Sequence, residues 1–253
     1  RSSVGKNKIL RIFKNSITWK GSKRNQLVTE FRTHEKFAKR LHYAFYPVWW
    51  LFHLWDTLLA NNLSPNLNLG FDTLTVYPDP DPETATTDGV AYRHAVDQTL
   101  TDIRAGAGTG FGDTNATERG FGLQASTTSG QYQNLIRGIY LFDTSSIVDT
   151  NQIDSATFSL FGFSKTDELS GAASANSVHV LVASTPASST GLANGDYGQL
   201  GTTDFGRSVT QTNISTSAYN DITINGSGLT NISKTGVSKF GTRSGWDFDN
   251  TTT

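Results

Sequence analysis

From residue 90 onward the chain has one texture: short runs of Val, Ile, Phe, Tyr and Thr, each broken by Gly, Ser, Asn or Asp. Such runs are too short for helices and carry the β-branched and aromatic residues that suit a pleated surface. Of the 24 glycines, 20 fall in this stretch, and Pro186 is its only proline, so turns are frequent and strand interiors stay unbroken. Strands are expected at 100–104, 121–125, 135–142, 153–161, 178–183 and 219–224, with shorter ones at 237–240 and around Trp246. Ala156-Thr-Phe158-Ser-Leu160 and Val178-His-Val180-Leu-Val182 put an apolar residue at every second position. One face of each strand is then buried, with Ile139, Leu141, Phe158, Leu160, Val178, Val180 and Val182 inward and His179 outward. The expected fold class is all-β, a jelly-roll-like antiparallel sandwich over 90–253.

Upstream the composition changes twice. Residues 1–40 hold twelve Lys and Arg against Glu30 and Glu35, whereas the remainder holds nine against twenty acids. Segment 1–36 mixes these cations with single apolar residues and has no run able to form a core, so it is expected to be poorly ordered. It is read as a solvated or untranslated upstream stretch, and no nucleic-acid partner is expected. Segment 37–63 is the most apolar. Phe37, Leu41, Phe45, Val48, Phe52, Trp55 and Leu59 recur at spacings of three and four, which predicts an aromatic-rich α-helix. Its surplus aromatic surface, Trp49, Trp50 and Trp55 above all, implies a contact through 37–60 with a membrane interface or another copy of the chain. Segment 64–89 reads as an extended strand and then a Pro/Asp linker, because Pro78, Pro80 and Pro82 block sheet pairing. The chain begins at Arg1 and contains no Met, which reads as a fragment.

Arg137-Gly-Ile-Tyr-Leu-Phe-Asp143-Thr-Ser-Ser-Ile147, followed by Ile153-Asp-Ser-Ala156-Thr-Phe-Ser-Leu160-Phe, resembles the central signature of the DNRLRE-type extracellular β-sandwich domains. Asp113-Thr-Asn115, Gly120-Phe-Gly-Leu-Gln-Ala and Ser177-Val-His-Val-Leu-Val are similar to further motifs of that family, in the same order. The resemblance covers roughly residues 99–249. It lacks the literal D-N-R-L-R-E string and ends before the closing strand such domains have, so the sandwich is expected to be incomplete. It implies a jelly-roll-like, carbohydrate-binding-module-like domain of extracellular proteins, with members that bind acidic polysaccharides and with no catalysis. Independently of it, Asp143 follows a hydrophobic strand and precedes Thr144 and Ser145, so its carboxylate can accept turn N–H groups. Arg137 and Asp143 are therefore assigned structural turn roles.

Sites for chemistry are absent from the pattern. The chain has no Cys, which removes thiol nucleophiles, Cys zinc sites and disulfides. Its five His show no metal spacing, and there is no G-x-S-x-G elbow. The alternating Gly106, Gly108, Gly110 and Gly112 read as a flexible loop rather than a phosphate cradle. Asp79, Asp81, Glu83 and Asp88 resemble a calcium loop by spacing only, so no cofactor is assigned and an irregular Ca²⁺ site is kept as a secondary reading. Sugar rings stack on flat side chains, and Tyr132, Tyr197, Phe205, Tyr219 and Trp246 are the candidate platforms. The expected function is a non-catalytic, extracellular or surface-exposed module for carbohydrate binding or adhesion, with a polysaccharide or cell-surface glycan as partner. The alternatives are a structural subunit of a virion, fibre or surface layer, and an accessory fragment of a polysaccharide-active enzyme.

Overall fold

The computed structural model describes residues 8–15, 72–113, 122–166 and 175–251. The chain divides into two compact units, Arg1–Lys14 with Thr73–Thr253, and Asn15–Asp72. The aromatic helix expected at 37–63, with Trp49, Trp50 and Trp55, lies outside the described residues.

The described strands are β1 (Lys8–Asn15), β2 (Asp72–Val76), β3 (Asp88–Gln98), β4 (Gly110–Gly112), β5 (Gly122–Ala125), β6 (Tyr132–Asp143), β7 (Gln152–Phe161), β8 (His179–Ala183), β9 (Gly206–Arg207), β10 (Tyr219–Thr223) and β11 (Val237–Ser244). Three short helices accompany them: α1 (Leu100–Ala105), α2 (Gly226–Thr230) and α3 (Gly245–Asp249). One sheet has the order β10-β7-β1-β2, the other β4-β3-β6-β11-β8-β9, with β5 paired to β6 beyond the end of β11. Strand pairs from β3 to β11 are antiparallel. The described residues therefore form an all-β sandwich.

Its interior is aromatic. Tyr140 and Phe142 of β6, Leu181 of β8 and Phe240 of β11 meet Ala156 and Phe158 of β7 and Ile222 of β10. The Phe158 ring lies 5.2 Å from Tyr140, 6.1 Å from Phe142 and 6.4 Å from Phe240. Tilted and edge-on contacts of this kind add to the stabilisation from burial itself. The opposite face of the larger sheet is covered too. Ile139 and Leu141 pack there with Leu100 and Ile103 of α1 and with Tyr197, while Val178, Val180 and Val182 pack with Leu200 and Phe248.

This double cover corrects the expected inward set. Ile139, Leu141, Val178, Val180 and Val182 are buried, but beneath α1, α3 and their connecting loops rather than against Phe158. His179, expected outward, is 5% exposed. Period two separates the two faces of a strand; it does not say which one meets the second sheet when both are covered.

Four further expectations change. Residues 100–104 form helix α1, because the Thr99 hydroxyl accepts from Asp102 N and donates to the Asp102 carboxylate, a cap that outweighs local β character. Trp246 lies in α3, where the Ser244 hydroxyl caps the helix by accepting from Asp247 N. Gly106, Gly108 and Gly110 are closely packed, not a loose loop: a Cβ would fall 2.1 Å from the Arg93 guanidinium at Gly106, 2.1 Å from Asn194 O at Gly108 and 2.3 Å from the Tyr92 ring at Gly110. The sandwich also begins before residue 90. β2 lies within the extended strand expected in 64–89, the start of β3 falls inside the expected Pro/Asp linker, and β1 falls inside the segment expected to be poorly ordered. A strand that joins a ladder can use a core supplied by its neighbours and needs none of its own.

Candidate functional site

Four of the five expected aromatic platforms have no ring face open to a ligand. Tyr132 is 1% exposed, Tyr197 0%, and Phe205 and Trp246 5% each. Tyr132 opens β6 rather than a loop. Phe205 meets Phe240 edge-on at 6.2 Å in the sandwich core. Tyr197 donates its hydroxyl to Ile103 O at 2.6 Å and carries the Arg137 guanidinium 4.1 Å above its ring. Burial pushes its phenol up to about 12. These side chains are amphipathic, and a polar handle near a loop satisfied in the core looks in sequence like one offered to solvent.

Arg137 is not a turn residue. It forks onto Asp247 with Nε–Oδ2 and Nη2–Oδ1 both 2.8 Å, and Arg243 makes a second fork of the same lengths. Arg104 adds a third contact at 3.2 Å. Burial alone would raise the Asp247 carboxyl, but the two guanidiniums outweigh it and hold that group well below the usual carboxylate range. The excess positive charge is spread over carbonyl acceptors, with Arg137 donating to Tyr197 O and Arg104 O and Arg243 to Gly201 O. The cluster ties α1, β6, β11 and α3 together around a carboxylate with no exposed surface. Asp247 sits 110 residues from Arg137, and no spacing rule could join them. Asp143 Oδ1 accepts from Ser145 N at 2.9 Å at the exit of β6, and the Ser145 bonds hold its carboxyl low.

In the acidic loop, Asp79 Oδ2 accepts from Thr84 N, Thr84 Oγ1, Ala85 N and Thr86 N, at 2.7 to 3.3 Å. Burial and the neighbouring Asp81 and Asp113 push Glu83 up to about 7. Among the described residues no group of three or more His, Cys, Asp or Glu is placed to hold a metal ion.

The arrangement suited to a ligand lies on the outer face of β7 and β10. Ala156, Phe158 and Ile222 point into the core, so Thr157, Ser159 and Phe161 share the other face with Tyr219, Asp221 and Thr223. These six residues pair directly across the ladder as Phe161 with Tyr219, Ser159 with Asp221 and Thr157 with Thr223. The first rung is an aromatic pair at 5.3 Å and 80°, with both rings half-buried. In the second, the fully buried Ser159 donates its Oγ to Asp221 Oδ1 at 2.5 Å, and of this pair only Asp221 is exposed. The third is a pair of hydroxyls. Beyond β7 follows Phe163, 52% exposed.

No family model, curated protein or solved structure matches the chain. The site therefore rests on its own geometry. Its aromatic end is held by the loop before β10. A Cβ on Gly162 would fall 2.2 Å from Ser215 O, Lys165 donates to Thr212 O and Ile214 O, and Asn220 bonds Ser215 N, Ser215 O and Leu160 O. This bracing fixes the Phe161–Tyr219 pair before any ligand arrives, which lowers the ordering cost of binding. Tyr219 was among the sequence candidates. Phe161, Asp221 and the hydroxyls were not, although the alternation that marked Phe158 and Leu160 as inward already placed Thr157, Ser159 and Phe161 on the opposite side.

Proposed function

We propose that this chain is a non-catalytic β-sandwich module, extracellular or surface-exposed, that binds carbohydrate or mediates adhesion through the outer face of β7 and β10. The observation that carries this reading is the three-rung row of aromatic pair, carboxylate–hydroxyl pair and hydroxyl pair. A sugar has an apolar C–H face that stacks on rings and equatorial hydroxyls that need both acceptors and donors. The row offers these in one line, with rungs about 6.8 Å apart. The resemblance of the 137–161 region to DNRLRE-type domains agrees with such a module.

The test is a glycan array probed with the chain and with Tyr219→Ala and Asp221→Ala. Selective binding that each substitution lowers by about tenfold or more, at unchanged thermal midpoint, supports the reading. Absence of binding to every glycan, or binding indifferent to both substitutions, overturns it. A second reading, a structural subunit of a virion, fibre or surface layer, is favoured by the edge strand β4, where Phe111 stands 45% exposed between two glycines. An exposed apolar residue on an edge strand suits pairing between copies. Concentration-dependent assembly abolished by Phe111→Lys would support that alternative.

A further inference from the structure

We propose that Asn194 is a site of spontaneous conversion to isoaspartate, and that this change loosens the turn that holds Tyr197. The chain contains two Asn-Gly sequences, Asn194-Gly195 and Asn225-Gly226. Glycine has no Cβ to shield its backbone nitrogen, so that nitrogen can reach the carboxamide carbon of the preceding Asn. The Gly nitrogen bonds to Asn Cγ and gives up its proton, the Cγ–Nδ2 bond breaks, and ammonia leaves. Water then opens the five-membered imide. Cleavage on the Cγ side gives aspartate with the original backbone. Cleavage on the α-carbonyl side gives isoaspartate, in which the chain runs through Cβ and Cγ and the former main-chain carbonyl becomes a free carboxylate.

The fold treats the two sites differently. Asn225 caps α2: its Oδ1 accepts from Gly228 N at 3.1 Å and its Nδ2 donates to Asp204 O at 2.8 Å. Turning that carboxamide toward Gly226 N breaks both bonds and removes the cap. Asn194 opens a 3₁₀ turn, Asn194–Gly198, where it is exposed and its side chain makes no hydrogen bond among the described residues. Gly195 N lies in the first turn, where N–H groups have no intrahelical acceptor. The Cβ positions of Gly195 and Gly226 are equally open, with no described atom within 4 Å, so the Asn side chains make the difference. A 3₁₀ turn this short sets few bonds against the backbone rotation that ring closure needs. The cap and the second hydrogen bond at Asn225 correspond to a rate ratio of about tenfold or more in favour of Asn194.

The turn is placed so that the two products differ in effect. The Asn194 carbonyl crosses Gly108, 2.1 Å from where a Cβ would stand. Further along the turn, Tyr197 donates its hydroxyl to Ile103 O and its carbonyl accepts from Arg137. Isoaspartate adds one backbone carbon before these anchors and turns the crossing carbonyl into a charged group. Aspartate leaves the backbone and that carbonyl in place.

The experiment ages the full chain at mildly alkaline pH, digests it at acidic pH and follows both Asn-Gly peptides by mass spectrometry, with isoaspartate scored by an isoaspartyl methyltransferase. Asn194 is expected to convert about tenfold or more faster than Asn225. Gly195→Ala, whose Cβ meets open space, is expected to slow conversion at Asn194 by about tenfold or more without moving the melting midpoint. The midpoint of the aged protein is expected to fall as isoaspartate accumulates, whereas Asn194→Asp keeps that of the parent. Conversion at Asn225 as fast as at Asn194, or none at Asn194 over a period in which the isolated peptide of the same sequence converts, overturns the site. Conversion indifferent to Gly195→Ala overturns the chemistry assigned to it. A midpoint unchanged at high isoaspartate content, or lowered equally by Asn194→Asp, overturns the loosening of the turn.

Discussion

Asp247 is the residue on which the most buried charge depends. Two bidentate guanidiniums and the Arg104 contact converge on a carboxylate with no exposed surface. Removing one partner of such a pair leaves an uncompensated buried charge, which costs about 3–5 kcal/mol. Asp247→Asn is therefore expected to lower the urea midpoint steeply, with no change in m-value. Its folded pKa is depressed, so its stabilising effect is complete above the unfolded value of about 3.9 and is lost only as pH falls below that.

His179 makes stability fall with pH in the same direction, in a higher pH window. Burial lowers it to about 3, so the folded state keeps it neutral while the unfolded chain protonates it near 6.5. The unfolded state then binds the extra proton, and stability falls by about 1.4 kcal/mol per pH unit as pH drops from 6.5 toward 3. Glu83, raised to about 7, works against this above its own unfolded value, because the folded state holds its proton more firmly. The difference in melt midpoint between the protein and His179→Leu, followed from pH 7.5 to pH 5, cancels the Glu83 contribution. The variant is expected to lose less stability over that range; parallel curves would show that His179 does not titrate between the two states.

At the scale of elements, short helices and close glycines were the features that alternation hid. α1 and α3 each span five or six residues, below the length at which a helical period shows in sequence, and each depends on a Thr or Ser cap and on packing against β6 or β8. The glycine series is similar. Gly108 must be glycine because the Asn194 carbonyl crosses it, whereas Gly195 has open space where its Cβ would stand. Gly108→Ala is expected to cost about 1–3 kcal/mol through overpacking, and Gly195→Ala to change the thermal midpoint little. Equal effects would place the Asn194–Gly198 turn away from Gly108.

Across the whole molecule, one aromatic core joins the two sheets, so its loss should be felt cooperatively. Phe158 is fully buried and touches aromatic rings of β6 and β11. Phe158→Ala is expected to cost about 3–5 kcal/mol, read as a single shifted transition by both near- and far-UV circular dichroism. Leu160→Ala, on the same strand but only half-buried, is expected to cost less.

Local alternation and turn residues were enough to determine the fold class, the extents of β5, β6, β7, β8 and β10, and the burial of Phe158, because each is a property of a few consecutive residues. Tertiary structure alone decided which face of β6 and β8 meets the second sheet, which side His179 takes, that Asp247 answers Arg137, and that Phe161 stands beside Tyr219. Each depends on a partner from another element, from Phe158 for Tyr140 and Phe142 to Asp247 for Arg137 across a separation of 110. A strand's own sequence records that it has two faces, but the identity of what covers each is a long-range fact, set when the sheets close on one another and the most apolar combination of faces is removed from water.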